Sequence, residues 1–281
     1  MLSVQNYSYH NHTDFSDGID SLIAMVKRAK EIGFAELGIS DHLIVHKNMY
    51  QSPSWADMQQ KSAAYIYNAD FKSILDKYRY HCDEIRRLSR SENFKLYVGF
   101  EVDYFTYDGW EEEFKWFVSQ LDYDYLQSGN HFFCNESCEK IINMANFLLL
   151  CQDNQLQYKY IAQHFSILKK AVESRMFKFL AHFDYLKRFC GNAYRFDLFK
   201  NDIAVVLDGL QQTQTALEVS TKGLRKAGEL YPGAEILQET AKRDIAVIIN
   251  DDAHCAAELG MSFDKAEAEL VKYGITKRLK F

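Results

Sequence analysis

Short runs of β-branched and aromatic residues alternate along this chain with longer segments in which apolar residues recur every three or four positions. Leu22, Met25, Val26 and Ala29 illustrate the second pattern, because this spacing places them on one face of a helix. We predict strands at 7–9, 34–40, 96–100, 123–128, 177–181, 216–219 and 245–250. Helices are predicted at 21–32, 70–89, 110–121, 140–173, 197–212, 234–243 and 263–273.

Regular alternation of strand and helix indicates an α/β fold with a parallel sheet and helical crossovers. Seven strands are compatible with a closed barrel or with an open doubly wound sheet. Candidate functional residues follow both the first and the last strand. We therefore favour closure, because an open sheet would hold these two strands far apart. The stretch 46–68 has no clear period and is predicted to be an insertion.

Composition limits the class of protein. The chain has 281 residues, of which 47% are hydrophobic, and with 2 prolines and 13 glycines it offers no linker-like segment, so we predict one domain over 1–281. A net charge of −6 argues against a nucleic-acid partner. The first residues do not resemble a signal peptide, and no apolar run approaches the roughly 20 residues that span a bilayer. We expect a cytoplasmic protein that does not bind membranes.

Histidine and acidic residues follow the predicted strands, at the edge where side chains converge in a barrel. His10 and His12 follow the first strand, and residues i and i+2 of an extended chain point to the same side, so they offer two imidazoles to one cation. The other members of the pattern are Asp17, His42, Glu101, His131, His182, Asp252 and His254. Together they predict a polynuclear metal site.

Glu101 emerges from an otherwise apolar strand, where a buried carboxylate needs a cation or hydrogen-bond donors. Its two oxygens could bridge two metals, or they could form a salt bridge with a lysine or arginine. His46, His81 and His164 do not fit the strand-end pattern, and we expect them to be ordinary structural histidines. Nitrogen and carboxylate ligands suit Zn, Mn or Fe alike.

The same residues resemble the polymerase-and-histidinol-phosphatase (PHP) superfamily of metal-dependent phosphoesterases. The resemblance covers nearly the whole chain, and the segments 97–104, 124–131 and 218–225 are similar to those of the stand-alone histidinol-phosphate phosphatases of histidine biosynthesis. It implies a distorted (β/α)7 barrel that is TIM-barrel-like. It also implies hydrolysis of L-histidinol phosphate to L-histidinol and phosphate by a hydroxide that bridges two metals.

The resemblance further implies two or three divalent metal ions as cofactors. The first would be held by His10, His12, Glu101 and Asp252, the second by Glu101, His131 and His182, and the third by Asp17, His42 and His254. Asp17 stands where some relatives carry histidine, which could shift the third site toward a harder cation. The expected catalytic residues are Asp17, Glu101, Asp252 and His254, and the sequence does not assign the proton donor to the leaving group.

A phosphate ester also needs groups that bind its oxygens. Arg188 and Arg225 lie in loops after predicted strands, and a guanidinium can grip two phosphate oxygens. Lys222 is a weaker third candidate. An aromatic group could either line the substrate pocket or pack in the core: Tyr104, Phe105, Tyr107 and Trp110.

Two other functions remain open at this point. A phosphoesterase of the same superfamily could act on another phosphomonoester, a nucleotide or a phosphodiester. A metal-binding module without catalysis is a lower-ranked alternative, because the ligands of all three predicted sites are intact. We expect the partner to be a small phosphate ester, and the sequence does not indicate the oligomeric state.

Overall fold

The computed structural model describes residues 5–60, 64–135 and 137–281. Its strands, numbered in chain order, are β1 (Tyr7–Ser8), β2 (Glu36–Ile39), β3 (His42–Val45), β4 (Tyr67–Asn68), β5 (Lys95–Val102), β6 (Tyr125–Ser128), β7 (Phe132–Cys134), β8 (Ile141–Asn143), β9 (Phe179–Leu180), β10 (Ala216–Ser220) and β11 (Val247–Asn250). Its helices are α1 (Leu22–Glu31), α2 (Trp55–Gln59), α3 (Phe71–Glu92), α4 (Trp110–Val118), α5 (Met144–Leu150), α6 (Asn154–Glu173), α7 (Lys187–Cys190), α8 (Phe196–Thr213), α9 (Lys222–Lys226), α10 (Ala234–Lys242) and α11 (Phe263–Lys272).

Seven parallel strands form a nearly closed barrel in the order β1-β2-β5-β6-β9-β10-β11. The first and last strands approach one another just beyond their ends. There Asn11 and Ala253 form an isolated parallel β-bridge, and the backbone N–H of His12 donates to the carbonyl of Ala253 at 2.8 Å. The predicted α/β barrel is therefore confirmed. Its seven strands are those that the hydrophobic pattern predicts.

Aromatic side chains fill the amino-terminal end of the barrel. Tyr9 and Tyr125 are buried there with Phe179 and Ile248. The ring of Tyr125 lies so close to Gly99 that a Cβ at this position would be 2.1 Å from its Cζ atom, so only glycine fits beneath the ring. This packing closes one end of the barrel with apolar groups and leaves the polar side chains at the other end.

Helix α3, which lies outside the barrel, shows how individual residues determine where a helix begins and ends. Asp70 caps its first turn by accepting hydrogen bonds from the backbone N–H groups of Lys72 and Ser73, and Asn93 ends it in the left-handed conformation at φ 45°. Between these ends, Tyr78 and His81 lie on the buried face. The helix thereby brings an imidazole beneath the loop that follows β1.

Several parts of the chain differ from the prediction. The short helices α2, α7 and α9 were not predicted, and Arg188 and Arg225 lie in α7 and α9 instead of in loops. Strand β3 begins just after β2 and pairs with the last residues of β5, so that His42 lies opposite Glu101. The segment predicted as helix from 140 instead begins with β8, which forms an antiparallel hairpin with β7, and helix α5 starts only at Met144. Short strands next to a longer element carry too few residues to show a period. Within the described residues, none of the helices combines the length and apolar character needed to cross a membrane.

Candidate metal centre

The carboxyl ends of the barrel strands bring all nine predicted ligand residues together. Eight of them are placed by strands or by the residues just beyond a strand end, whereas Asp17 lies in the loop between β1 and α1. The candidate ligands form four compact groups, and within each group the ligand atoms lie within 4.8 Å of one another. These groups are His12, Asp17, His42 and His254; His10, His182 and Asp252; His10, His12 and Glu101; and His42, Glu101 and His131. His10, His12, His42 and Glu101 are shared between groups, which indicates one continuous cluster.

Glu101 lies at the centre of this cluster. Its Oε2 atom is 3.4 Å from His10 Nε2, 3.3 Å from His12 Nε2 and 3.1 Å from His42 Nδ1. Its other oxygen, Oε1, faces His182 Nε2 at 2.6 Å and His131 Nε2 at 3.7 Å. The two oxygens thus face two different sets of imidazoles, as a bridging carboxylate requires.

Asp252 and Asp17 complete the cluster from opposite sides. The Oδ1 atom of Asp252 is 3.5 Å from His10 Nε2 and 3.3 Å from His12 Nε2. The carboxylate of Asp17 is 3.3 Å from His42 Nε2 and 3.2 Å from His254 Nε2. The predicted grouping placed each histidine with one metal, whereas the structure places His12 between the Glu101 and Asp17 sides.

The polar atoms of this cluster have the environment expected of metal ligands. Among the described residues, several of its buried side-chain atoms have no hydrogen-bond partner: His10 Nε2, His12 Nδ1 and Nε2, Asp17 Oδ1, His42 Nδ1, Glu101 Oε2 and Asp252 Oδ1. Burying such atoms without a partner is costly. Ligands around a tetrahedral cation at about 2.1 Å lie about 3.4 Å apart, close to the separations around Glu101 Oε2. The residues therefore fit a group of divalent cations.

The electrostatic environment keeps the cluster carboxylates ionised. Burial alone would raise the pKa of Glu101, but the imidazoles of His10, His42 and His131 outweigh it and hold this pKa well below its usual range. Burial would likewise raise the pKa of Asp252, and Lys222 and His10 reverse the effect. Burial, together with the neighbouring His254 and His42, lowers the pKa of His12 to about 4, so its imidazole is neutral near pH 7 and one ring nitrogen can offer a lone pair to a cation.

A second layer of carboxylates orients the histidines. Glu218 accepts a hydrogen bond from His10 Nδ1 at 2.7 Å and from the backbone N–H of His182 at 2.8 Å. Asp103 accepts from His131 Nδ1 at 2.9 Å. Metal-binding histidines commonly donate their second ring N–H in this way. The sequence prediction missed both residues, although Glu218 has the same signal as Glu101, a carboxylate within an apolar strand.

The backbone at two ligands is held in an unusual conformation. His182 has φ 25° and Asp252 has φ 49°, values in the left-handed region that non-glycine residues rarely adopt. Such conformations cost free energy and concentrate at functional sites.

Gly129 leaves the space that the Glu101 carboxylate occupies, because a Cβ at this position would lie 1.9 Å from Glu101 Oε1. The local backbone is therefore shaped around the position of the Glu101 carboxylate.

A cavity of about 190 Å³ opens above the cluster. The predicted phosphate-binding residues Arg188 and Lys222 line it, and Lys222 Nζ lies 3.0 Å from Asp252 Oδ1. Residues outside the predicted site complete the wall: Ile44, Ile66, Tyr67, Asn143, Ala145, Tyr185, Lys226 and Tyr231. Part of this wall comes from the insertion 46–68 and from β8, whose conformation the sequence pattern does not reveal.

Arg225 and the predicted aromatic group lie elsewhere. Arg225 is not among the residues that line the cavity; its Nη2 donates to the carbonyl of Asp251 at 3.0 Å and its Nε lies 3.5 Å from Glu258 Oε1. The structure thus gives this arginine partners within the protein. The aromatic residues pack in the core instead of lining the pocket, and none of them is more than 6% exposed: Tyr104, Phe105, Tyr107 and Trp110.

Barrel and cluster together define an α/β barrel protein with a candidate polynuclear metal centre at the carboxyl ends of its strands. The model of the PHP domain family matches residues 8–222, and the chain belongs to this family.

Individual relatives are more distant. The chain is 23% identical over 249 residues to a probable histidinol-phosphatase of Deinococcus radiodurans, covering 88% of this chain and 85% of that protein. Its fold is similar to that of histidinol phosphate phosphatase from Lactococcus lactis in complex with zinc, L-histidinol and phosphate, with a TM-score of 0.75, 17% identity and coverage of 99% and 97% of the two chains. A structure from Listeria monocytogenes, provisionally assigned as the histidinol phosphatase HisK, has a TM-score of 0.72 at 19% identity and covers 92% of this chain and 99% of its own.

Proposed function

We propose that this protein is a metal-dependent phosphomonoesterase that hydrolyses L-histidinol phosphate to L-histidinol and phosphate, a step of histidine biosynthesis. The observation that carries the proposal is the cluster of nine ligand residues beneath a small cavity that also contains Arg188 and Lys222. Membership of the PHP family and the names of the relatives support this choice of substrate.

The cofactors we propose are two or three divalent cations, with Zn, Mn and Fe all compatible with the ligands. Glu101 would be shared between cations, with His10, His12 and Asp252 near one oxygen and His131 and His182 near the other. Asp17, His42 and His254 would hold the third. When bound, such cations supply Lewis-acid stabilisation of the phosphoryl oxygens and make a water molecule more acidic.

The side chains of the cavity have complementary tasks. Arg188 offers a planar guanidinium that can donate two hydrogen bonds to a phosphate, and Lys222 and Lys226 add positive charge to the same wall. Charge on the phosphoryl oxygens is greatest in the transition state, so groups fixed around them lower the barrier. The supporting carboxylates Glu218 and Asp103 keep the imidazoles in place while this happens.

His254 is the residue we propose for proton transfer to the leaving alkoxide, and Asp17 is its partner, because His42 and His254 hold the pKa of the Asp17 carboxyl well below its usual range and keep it ionised. They lie 3.2 Å apart at the rim of the cavity, and their side chains are 22% and 26% exposed, more than those of the other ligands in the cluster. A leaving group that points toward the opening of the cavity would pass this pair. A proton donor must be within hydrogen-bond reach of the departing oxygen.

The size of the cavity favours a small substrate. Its volume of about 190 Å³ is below the roughly 300 Å³ at which pockets for drug-sized ligands begin. The lining also contains the apolar or aromatic side chains of Ile44, Ile66 and Tyr67, and Asn143 adds a side-chain amide. A short organic group with a planar ring and polar atoms would match this mixture of surfaces, as the imidazole of histidinol does.

A substrate panel tests the proposal. Phosphate release from L-histidinol phosphate would be compared with release from other phosphomonoesters, nucleotides and a phosphodiester, using protein of measured metal content. We expect the highest kcat/KM with L-histidinol phosphate. Activity confined to other esters would support the alternative phosphoesterase function, and fully metal-loaded protein that cleaves no ester would indicate a non-catalytic metal-binding module.

A further inference from the structure

Asp41 is a fully buried carboxylate beside the metal cluster whose oxygens are both engaged by the protein itself. Oδ1 accepts hydrogen bonds from the backbone N–H of Thr13 at 2.8 Å and from the hydroxyl of Ser16. Oδ2 accepts from the Thr13 hydroxyl at 2.8 Å and from His81 Nε2 at 2.9 Å. With four donors bound, Asp41 is not a metal ligand, although it precedes His42.

These donors connect Asp41 to the loop that follows β1. The imidazole of His81 lies parallel to the ring of Phe15, with ring centroids 3.7 Å apart and planes inclined by 6°. The backbone N–H of Gly18 donates to the carbonyl of Thr13 at 3.0 Å, and the N–H of Ser16 donates to the same carbonyl. The segment 13–18 is thus fixed at both ends and stacked on helix α3 in its middle.

Asp17 belongs to this segment and depends on it for its position. The other ligand residues begin, end or closely follow strands, where the backbone hydrogen bonds of the barrel hold them. Asp17 has no strand beneath it, yet its carboxylate must stay within reach of His42 and His254. A shift of the loop would therefore change the Asp17 side of the cluster and leave the Glu101 side in place.

We propose that Asp41 and His81 are positioning residues for the third cation, because they fix the loop that presents Asp17. The inference rests on the proposed function, and in particular on a third cation at Asp17, His42 and His254. It assigns to His81, a histidine of helix α3 outside the cluster, an indirect role in metal binding. Loss of its hydrogen bond should release one metal selectively.

Three variants separate the hydrogen bond from packing. His81→Phe keeps a ring on Phe15 but removes the donor to Asp41. His81→Gln keeps a side-chain N–H that can donate in its place. His46→Phe is the matched control. His46 is also a buried histidine in contact with aromatic rings, those of Phe105 and Tyr107, and its Nε2 bonds to the carbonyl of Cys138 at 2.8 Å, a residue that is not part of the cluster.

Metal content per chain, measured by mass spectrometry after loading and removal of free metal, is the first readout. The rate at which a chelator removes metal is the second. We expect three metals in the wild type, in His46→Phe and in His81→Gln, and two in His81→Phe. If His81→Phe still takes up a third metal, we expect the chelator to remove it at least about tenfold faster than from the wild type. Losing a residue that orients a metal ligand typically weakens metal binding by this factor or more.

Three results would overturn the inference. Wild-type metal content and release rate in His81→Phe would show that the loop holds Asp17 without Asp41 and His81. Loss of all metals would show a general structural defect instead of a selective one. If the wild-type chain binds only two metals, there is no third site for Asp41 and His81 to support. Phosphate release from L-histidinol phosphate would then show separately whether the proposed function stands.

Discussion

Glu218 and His10 form a fully buried pair in which the His10 Nδ1 and Glu218 Oε1 atoms are 2.7 Å apart. The same carboxylate also accepts hydrogen bonds from the backbone N–H of His182 and from Asn250 Nδ2, at 2.8 and 3.0 Å. One side chain of β10 thus connects the ligands that follow β1 and β9 with strand β11. It also fixes which ring nitrogen of His10 faces the metal cluster.

Glu218→Gln should weaken metal binding by about 10- to 100-fold. Both oxygens of Glu218 accept hydrogen bonds, so the amide group of glutamine must turn its NH₂ toward another donor. Competition with a coloured chelator measures the affinity. Glu92→Gln, which removes a charge from an exposed helix end, is the control. Equal affinities in the two variants would contradict the proposed orienting role.

Gly129→Ala should displace the bridging carboxylate. The new methyl group would lie 1.9 Å from Glu101 Oε1, so the side chain of Glu101 has to move. We expect metal content and phosphatase activity to fall by roughly tenfold or more. Gly209→Ala, whose new methyl group would meet only Val172 at 3.3 Å, should keep both. Unchanged metal content in Gly129→Ala would show that the centre does not need Glu101 at its observed position.

Arg188→Ala and Arg225→Ala should affect different properties. Arg188 lines the cavity, and losing a charged hydrogen-bond donor there should weaken inhibition by inorganic phosphate by about 10- to 100-fold. Arg225 bonds to the carbonyl of Asp251, so its loss should lower the melting temperature and leave the phosphate inhibition constant unchanged. The opposite pattern would restore Arg225 as the phosphate-binding residue.

His164 should contribute to acid sensitivity. Burial, between Phe133 and Phe165 among others, lowers the pKa of His164 to about 3, against 6.5 for an exposed histidine. As the pH falls from 6.5 to about 3, the unfolded chain binds a proton at this histidine and the folded chain does not. The free energy of unfolding therefore decreases as the pH is lowered through this range. His164→Phe removes this loss, which amounts to about 1 kcal/mol between pH 7.5 and 5.5. Urea unfolding of both chelated proteins at the two pH values measures it; equal pH dependence would contradict the assignment.

The barrel strands, and the convergence of the nine candidate ligand residues at one end of the barrel, could be predicted because they follow general rules. A buried strand is a short apolar run, and polar residues just beyond several such runs meet at one edge of a barrel. Glu101 illustrates the second rule, since a carboxylate within an apolar strand requires a partner. The same rule applies to Glu218. Whether such a carboxylate is a candidate ligand or orients a histidine depends on its distance from His10, which the sequence alone does not give.

Features that depend on tertiary contacts were not predictable. Strand β3 shows no period of its own, because Leu43, Ile44 and Val45 are all buried and pair with β4 and β5. The directions of the Arg188 and Arg225 side chains depend on the residues that pack beside the short helices α7 and α9. His81 was expected to be an ordinary structural histidine, and only the fold reveals that it bonds to the carboxylate that fixes the Asp17 loop.

The most direct measurement is a metal titration of the chelated protein, with phosphate release from L-histidinol phosphate recorded after each addition. The account predicts no activity in the chelated protein and a rise that ends at two or three equivalents. It also predicts that Glu101→Gln fails to reach wild-type activity at any metal concentration. Full activity in the chelated protein, or in Glu101→Gln, would contradict the claim that this cluster is a metal-dependent phosphatase centre.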